Sequence, residues 1–252
     1  MDKKNILEIK NLAKSYDNNN EKVVQVFKDL NITFEKQKIH CLLGVSGSGK
    51  SSLLRMISGL EAPDSGTVEF ADDSVKSKFY MIFQSNNLFP WKTVYENIYL
   101  VLKAYYKNNK KKLDKKQMQE KIEGVLSKYD LLQYKDFYPY ELSGGLGQKV
   151  TLVKALITEP PLLLFDESFS ALDFISKEMV HEFLLSDFDN NKYSAIISTH
   201  DIHEAIKLGD FIHIINRDFY IKIKNPLVRP RLEDSGFEKF YNKIKTSYKE
   251  EI

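Results

Sequence analysis

One glycine-rich segment, Gly44–Ser51, constrains the fold of this chain more than any other feature. It reads Gly-Val-Ser-Gly-Ser-Gly-Lys-Ser and fits the pattern G-x-x-x-x-G-K-[ST] of a phosphate-binding loop. The apolar run Ile39–Leu43 before it is typical of a buried strand, and Ser51–Ser58 after it has apolar residues at helical spacing. A strand, a glycine loop and a helix in this order predict a nucleotide site at the edge of an α/β sheet.

Each residue type in this segment has a physical task. Glycines let backbone N–H groups converge on phosphate oxygens without a Cβ in the way. We expect Lys50 to place its charge on the β- and γ-phosphates and the Ser51 hydroxyl to ligate Mg²⁺. The motif alone does not distinguish between kinases, GTPases and many ATPases. The predicted nucleotide-binding set is Gly44, Val45, Ser46, Gly47, Ser48, Gly49, Lys50, Ser51 and Ser52.

A pair of carboxylates follows a second apolar run, Leu162–Phe165. Parallel sheets bind ligands at the carboxyl ends of their strands, so Asp166 should face the phosphate loop and hold Mg²⁺ through water. Glu167, the next residue, can polarise an attacking water as a general base. An acidic start to the next helix is the structural alternative, and the phosphate loop favours the catalytic interpretation.

The segment Leu142–Gln148, with the sequence Leu-Ser-Gly-Gly-Leu-Gly-Gln, lies between these two motifs and resembles the LSGGQ signature of ABC-type ATPases. The resemblance covers nearly the whole chain, from about Leu7 to Arg231. It implies that two ATPase domains pair head to tail, so that the signature of one closes over the γ-phosphate held by the other. The signature residues expected to form this second anion site are Ser143, Gly144, Gly145 and Gln148.

Other positions of that family are also filled. The resemblance implies that Tyr16 stacks on adenine and that His200 contacts the γ-phosphate. It also implies that Gln84 contacts Mg²⁺ and the attacking water, within a loop that senses a transmembrane partner. Asp173 matches the family's D-loop. The expected catalytic residues are Glu167, His200 and Gln84, and the expected metal ligands are Ser51, Gln84 and Asp166.

The order of predicted elements sets the fold class. We expect an α/β P-loop NTPase of the ABC type, with a mainly parallel core sheet, an N-terminal antiparallel β part and an inserted α-helical subdomain. The ATPase domain is placed at 1–232, with the helical subdomain at about 92–160, and a C-terminal amphipathic helical extension at 233–252. The Lys107–Lys112 cluster is interpreted as a solvated loop.

One further helix is predicted over Leu172–Leu185. Its spacing puts apolar side chains on one face, which is typical of an amphipathic helix. The residues of that face are Leu172, Ile175, Met179 and Phe183.

Composition excludes several classes of protein. The chain has 37 Lys+Arg against 35 Asp+Glu, so its net charge of +2 gives no electrostatic footprint for nucleic acid. The single cysteine, Cys41, cannot form an internal disulfide and fits a reducing cytoplasm. No stretch approaches the roughly 18 apolar residues of a membrane span. We therefore expect a peripheral protein on the cytoplasmic face of the membrane, which it contacts through a partner.

Two short stretches point to a subfamily. Asn87–Asn97 resembles the "LLPW.TV..N" stretch of importers for nitrate, sulfonates and taurine, whose relatives also carry pyrimidine precursors of thiamine. The Arg229-Pro230-Arg231 sequence is similar to the tail of that group. The resemblance implies an ATP-hydrolysing importer subunit that forms a homodimer, binds integral-membrane permease subunits and serves a substrate-binding protein indirectly. Another ABC subfamily and a soluble ABC ATPase without a transporter are the alternatives.

One departure from the family pattern concerns the turn after Glu167. Ser168 stands where the family usually has proline, which pre-shapes a turn. We expect the serine to loosen this turn without removing a catalytic group.

Overall fold

The computed structural model describes residues 2, 4–17, 23–85, 87–108, 113–191, 193–216, 219–231 and 233–249. These residues form two units. The first consists of Met1–Met81, Pro161–Glu167 and Asn191–Ile252, and the second of Ile82–Pro160 and Ser168–Asn190.

The strands form two sheets. Their bounds are β1 (Asn5–Asp17), β2 (Val23–Glu35), β3 (Ile39–Leu43), β4 (Ser65–Phe70), β5 (Tyr80–Ile82), β6 (Leu162–Asp166), β7 (Ser194–Thr199), β8 (Phe211–Ile215) and β9 (Tyr220–Lys224). The smaller sheet has the order β2-β1-β4, and β1 is antiparallel to both neighbours. This confirms the predicted antiparallel N-terminal part. Strand β4 was not predicted, although Val68 and Phe70 alternate with Thr67 and Glu69 and pack, partly buried, against the core. An alternation of four residues is the shortest that indicates a strand.

The larger sheet has the order β5-β6-β7-β3-β8-β9. Strand β3 is parallel to β7 and β8, β6 is parallel to β7, and β9 is antiparallel to β8. This confirms the mainly parallel core. Every residue of β3 and β6 is buried, as expected for strands covered on both faces.

The register of this sheet places three chain segments at one edge. Leu43 at the end of β3 pairs with Thr199 of β7, and Asp166 at the end of β6 pairs with Ser198. Because these strands run parallel, the residues that follow them leave the sheet on the same side. The phosphate loop, Glu167 and His200 therefore emerge together.

The helices of the described residues are α1 (Lys50–Ile57), α2 (Asp73–Lys78), α3 (Val94–Asn108), α4 (Lys115–Lys128), α5 (Gly144–Leu156), α6 (Phe174–Asn191), α7 (Ile202–Leu208) and α8 (Ser235–Lys249). Within the second unit, α3, α4 and α5 share an apolar core that includes Ile98, Ile122 and Val150. None of the helices in the described part of the chain is long and apolar enough to cross a membrane. Residues 109–112 of the predicted lysine loop lie outside the described residues.

The predicted apolar face of the helix after the D-loop is wrong for Ile175 and Met179, whereas Phe183 packs, partly buried, against the apolar core of the second unit. Helix α6 buries Val180, Leu184 and Phe188, whereas Ile175 is 78% exposed and Met179 is 36% exposed. The buried residues Val180 and Leu184 follow the predicted positions Met179 and Phe183 by one residue, so the buried face is rotated from the predicted one. A Cβ on Gly145 would lie 2.8 Å from the end of the Met179 side chain and 2.9 Å from Cβ of Ser176.

Two buried histidines join β3 to β8. Nδ1 of His40 lies 2.9 Å from Nε2 of His213, whose Nδ1 lies 2.9 Å from the Tyr220 hydroxyl. The backbone of Glu35 meets the other ring nitrogen of His40. Burial lowers the pKa of His40 to about 3 and holds the pKa of His213 well below its usual value. Either tautomeric arrangement leaves both rings neutral and hydrogen-bonded.

The Arg229-Pro230-Arg231 segment is a structural clamp. The Nη2 atoms of Arg229 and Arg231 lie 2.7 and 3.0 Å from Oδ1 of Asp210. The other oxygen of Asp210 accepts a hydrogen bond from the Ile39 N–H at 2.9 Å. Two arginines on one carboxylate thus fasten this segment to the start of β3, the strand that leads into the phosphate loop.

Candidate nucleotide site

The glycine-rich loop turns from β3 into α1. Gly49 has φ 98°, a conformation that L side chains rarely adopt, and it precedes the first residue of α1. A Cβ on Gly44 would lie 2.5 Å from the Ile215 carbonyl oxygen, so that position also excludes larger residues. No side chain caps the start of α1. The loop therefore offers backbone N–H groups and the positive end of a helix to an anion.

Ser48 supplies a direct sign that this loop fits a phosphate. Its hydroxyl is buried and has no hydrogen-bond partner among the described residues. A buried polar group without a partner is costly. An oxygen of a bound phosphate would satisfy it.

Lys50 is the central cation of the site. Its Nζ donates hydrogen bonds to the carbonyl oxygens of Gly44 at 2.8 Å and Val45 at 3.0 Å, and lies 3.4 Å from Oε1 of Glu167. Burial lowers the pKa of Lys50, while the carboxylates of Glu167 and Asp166 oppose that change. The side chain is thus held over the loop, at the place where the sequence predicted a phosphate.

Asp166 and Ser51 lie in hydrogen-bond contact beside the phosphate loop. The Ser51 hydroxyl donates a hydrogen bond of 2.6 Å to Oδ1 of Asp166, and the Ser198 hydroxyl donates one of 3.1 Å to the same oxygen. A serine hydroxyl and a carboxylate are ligands that Mg²⁺ prefers. The two side chains fit the metal site predicted for them.

Glu167 lies between the side chains of Lys50 and His200. Its carboxylate is 3.4 Å from Lys50 through Oε1 and 3.7 Å from Nδ1 of His200 through Oε2. Its backbone has φ 45°, and its N–H donates to the Ser198 hydroxyl at 2.9 Å. A non-glycine residue in the left-handed region is uncommon, and such strain often occurs at functional sites. Glu167 is thereby aimed at the edge where the phosphate loop lies.

Ser198 is a member of this site that the sequence analysis did not select. Its hydroxyl bonds to the Asp166 carboxylate and to the Glu167 backbone, so it fixes both acidic residues. The available signal was its position two residues before His200, at the carboxyl end of a predicted strand.

Tyr16 and Ser52 lie together in the first unit. The Tyr16 hydroxyl donates a hydrogen bond of 2.9 Å to Oγ of Ser52, and Lys14 Nζ is 5.3 Å from the centre of its ring. The ring is half-buried. Stacking of this ring on adenine stays a prediction.

The remaining predicted site residues belong to the second unit. Ser143 caps α5 by accepting a hydrogen bond of 3.3 Å from the Leu146 N–H. Gln84 is exposed, and its Nε2 donates to the Ser170 hydroxyl at 3.2 Å. Asp173 accepts a hydrogen bond of 3.0 Å from the Ser176 N–H at the start of α6, and bonds from Ser176 lower its pKa.

Gln148 has an unexpected environment for a signature residue. Its side chain is fully buried in α5, and neither its Oε1 nor its Nε2 has a hydrogen-bond partner among the described residues. A role for Gln148 toward ATP stays a prediction, and in this arrangement its amide does not reach solvent.

Ser168 is firmly anchored. Its hydroxyl is buried and donates a hydrogen bond of 2.9 Å to the carbonyl oxygen of Ile82. We expected the serine to loosen the turn that proline would pre-shape. The hydrogen bond instead ties this residue to the end of β5, so a polar contact fixes the backbone in place of a ring.

Comparisons with known proteins agree with this geometry. The profile of the ABC transporter family matches residues 27–170. A nitrate import ATP-binding protein of Synechocystis sp. is 36% identical over 77% of this chain and 71% of its own length. An aliphatic sulfonates import ATP-binding protein of Zymomonas mobilis is 34% identical over 88% of the chain and 89% of its own length. A spermidine/putrescine import ATP-binding protein of Clostridium acetobutylicum is 36% identical, but the chain spans only 63% of its length.

The fold is also found among solved structures. An ATP-binding cassette dimer in a post-hydrolysis state, bound to ADP and phosphate, superposes with a TM-score of 0.73 and 25% identity. The match covers 88% of this chain and all of the solved one. With the family profile spanning more than half of the sequence and relatives above 30% identity, the chain belongs to the ABC transporter family and is an ABC-type ATPase that carries the ATP-binding domain.

Proposed function

We propose that this chain is the ATP-hydrolysing subunit of an ABC importer for a small solute. The observation that carries the enzymatic part is the position of Glu167 between Lys50 and His200. The import role rests on the relatives named for nitrate and aliphatic sulfonates, and on the resemblance of Asn87–Asn97 to that group.

The proposed chemistry assigns one task to each group of the first unit. Glu167 takes the proton of the attacking water, and His200 orients the carboxylate and contacts the γ-phosphate. Lys50 leaves its carbonyl partners to neutralise phosphate charge. Ser51 and Asp166 would hold Mg²⁺, and Gln84 would be a further ligand of the metal and the water. The metal, when bound, neutralises charge on the phosphates.

A second copy of the chain completes each site in this proposal. Ser143 begins α5 at an exposed position, so the start of that helix can receive an anion. The phosphate loop and the signature are both phosphate cradles, and one ATP held by the loop needs a signature from elsewhere. Two copies then enclose two ATP molecules. Gly144, Gly145, Gln148, Asp173 and Tyr16 are proposed to line these paired sites.

The proposed membrane partner binds the second unit. Phe89 and Trp91 are 46% and 69% exposed, with ring centres 5.4 Å apart, in the loop that follows Gln84. Exposed aromatic pairs of this kind are typical of protein interfaces. We assign them to integral-membrane permease subunits. The chain would then lie on the cytoplasmic face of the membrane, and a substrate-binding protein would act with it only indirectly.

The proposed cargo is a sulfonate, taurine, nitrate or a thiamine-precursor type of compound. Uptake of each labelled compound can be measured in cells that lack this gene and carry either the wild-type chain or Glu167→Gln. We expect uptake of one compound to be lost and restored only by the wild-type chain. Unchanged uptake of all four would reject this cargo class. If the cells that lack the gene lose polyamine uptake instead, another importer subfamily is favoured. If these cells keep every transport activity, a soluble ABC ATPase is favoured.

A further inference from the structure

The loop that carries Phe89 and Trp91 is fixed at both ends by buried side chains. At its far end lies Asn97 of α3, which is 1% exposed. Its Oδ1 accepts from the Phe89 N–H at 2.8 Å, and its Nδ2 donates to the carbonyl oxygens of Lys92 at 3.0 Å and Thr93 at 2.9 Å. One amide thus spans the loop from Phe89 to the start of α3.

The near end of the loop is held from a different helix. Lys154 of α5 is 5% exposed, and its Nζ donates a hydrogen bond of 2.6 Å to the carbonyl oxygen of Asn87. Asn87 has φ 44°, which turns its carbonyl group away from an ordinary extended path. Asn87, the residue contacted, lies three residues after Gln84 and two residues before Phe89.

A buried lysine is an expensive choice for a purely structural bond. Burial lowers the pKa of Lys154 to about 8. Among the described residues, the structure gives Lys154 no carboxylate partner, and Asn87 supplies the acceptor. An apolar residue of similar length would fill the same space without the desolvation cost. The presence of an amine here therefore indicates that the bond to the loop itself matters.

The other end of α5 is the signature. Ser143 caps the helix, and Lys154 lies eleven positions further along, about 16 Å at the helical rise. Helix α5 is continuous between the two residues, with most of its residues buried. A displacement of the loop is therefore transmitted along a rigid element to the anion-binding end of the helix.

We propose that Lys154 is a positioning residue that links the Phe89–Trp91 loop to the signature end of α5. This inference rests on the proposed function, because the signature must meet ATP held by a second copy. In the free protein, closure of the signature on ATP moves α5 and, through Lys154, the loop. By the reciprocity of coupled equilibria, a partner bound to the loop then changes the affinity of the signature for ATP.

Trp91 is the one tryptophan of the chain, so its fluorescence reports on this loop alone. The experiment uses the full-length Glu167→Gln chain, which should retain bound ATP, and measures acrylamide quenching of Trp91 with and without MgATP. A coupling at the lower end of the usual range changes the loop equilibrium about fivefold. We expect a change in the quenching constant on ATP binding, its loss in Lys154→Met, and its recovery in Lys154→Arg.

The controls separate this inference from the proposed function. ATP affinity, followed by calorimetry, should change by no more than about fivefold between Lys154→Met and its parent. Lys116→Met, at an exposed position of the same unit, should keep the fluorescence change. If Lys154→Met does not fold, Lys154→Gln, one bond shorter, takes its place. A Trp91 response to ATP that survives in Lys154→Met or Lys154→Gln, or that is absent in the parent, overturns the link. Absence of ATP binding by the parent would instead reject the proposed function.

Discussion

Two loops of this protein, Gly44–Lys50 and Asn87–Thr93, show opposite ways to fix an irregular backbone. The first is shaped by its own glycines, and Lys50 at its end meets a carboxylate that follows another strand. The second contains no glycine, and side chains of two helices hold its backbone groups. The conformation of the first loop is determined by residues within the loop, whereas that of the second depends on Asn97 and Lys154, which lie outside it.

The difference explains what each loop can do. A loop fixed by glycine geometry presents backbone N–H groups in one arrangement, which suits a ligand of constant shape such as phosphate. A loop fixed from two helices responds when either helix shifts, which suits a contact that must transmit motion.

The largest expected effect concerns Glu167, whose carboxylate meets Lys50 of the first loop. Glu167→Gln keeps the shape of the side chain but removes the base, so kcat for ATP hydrolysis should fall by about 10²–10⁴-fold. ATP binding should remain, and the ATP-bound dimer should become more stable. Steady-state hydrolysis assays and size-exclusion chromatography with MgATP check both points. Turnover at the wild-type rate would remove Glu167 from the role of general base.

Acid should lower the free energy of unfolding through the buried histidines of the larger sheet. The folded-state pKa of His40 is about 3, below its ordinary value of 6.5, so the unfolded chain binds the proton first. Stability is therefore complete above about pH 6.5 and is lost as the pH falls toward about 3, by about 1.4 kcal/mol per pH unit for each buried histidine. His213 acts in the same direction. Urea unfolding across this range measures the slope.

A matched control for the acid effect is His203, whose side chain is half exposed. His203→Gln should leave the slope unchanged, whereas His40→Gln should reduce it. A free energy of unfolding that does not vary below pH 6.5 would contradict the buried neutral pair.

The stability of the second loop should depend on the side-chain amide of Asn97. Asn97→Ala leaves several backbone groups of Phe89–Thr93 without their partner, so the free energy of unfolding should fall by about 3 kcal/mol. Chemical denaturation measures this loss, with Asn108→Ala at an exposed position of α3 as the control. Equal stability of both variants would mean that the loop is held by other contacts.

The smallest expected effect concerns the turn after Glu167. Ser168→Ala removes the hydrogen bond to Ile82 and should lower stability by about 1 kcal/mol. Ser168→Thr keeps the hydroxyl and serves as the comparison variant. If alanine is neutral in thermal unfolding, the hydrogen bond does not replace the proline of related sequences.

The sequence predicted the first loop well because its rules are local. In Gly44–Ser51 and in the acidic pair Asp166-Glu167, the residue types and their spacing are enough to indicate what each residue does. The sheet register places both motifs at one edge. Strand β4 and the buried side of α6 were missed. The alternation of β4 covers only Thr67–Phe70, which is too short to stand out in the sequence. The buried stripe of α6 depends on which neighbours supply side chains, and spacing within the helix does not contain that information.

The second loop was only partly predictable. The stretch Asn87–Asn97 resembles a family pattern, but no pattern in the sequence connects it to Lys154, which is distant along the chain. Buried polar contacts to backbone carbonyls have no residue pattern of their own. Ser198 escaped notice for the same reason, because serine in a strand is ordinary until its acceptors are known.

The arginine clamp on Asp210 determines where this protein can be truncated or tagged on the C-terminal side. A chain that stops before Arg229 would leave the Asp210 carboxylate without both cations, beside the N–H of Ile39 that begins the strand into the phosphate loop. Fluorescent labels or affinity tags belong beyond α8, where they leave the clamp intact. Truncation at the clamp would act on nucleotide binding from the opposite end of β3.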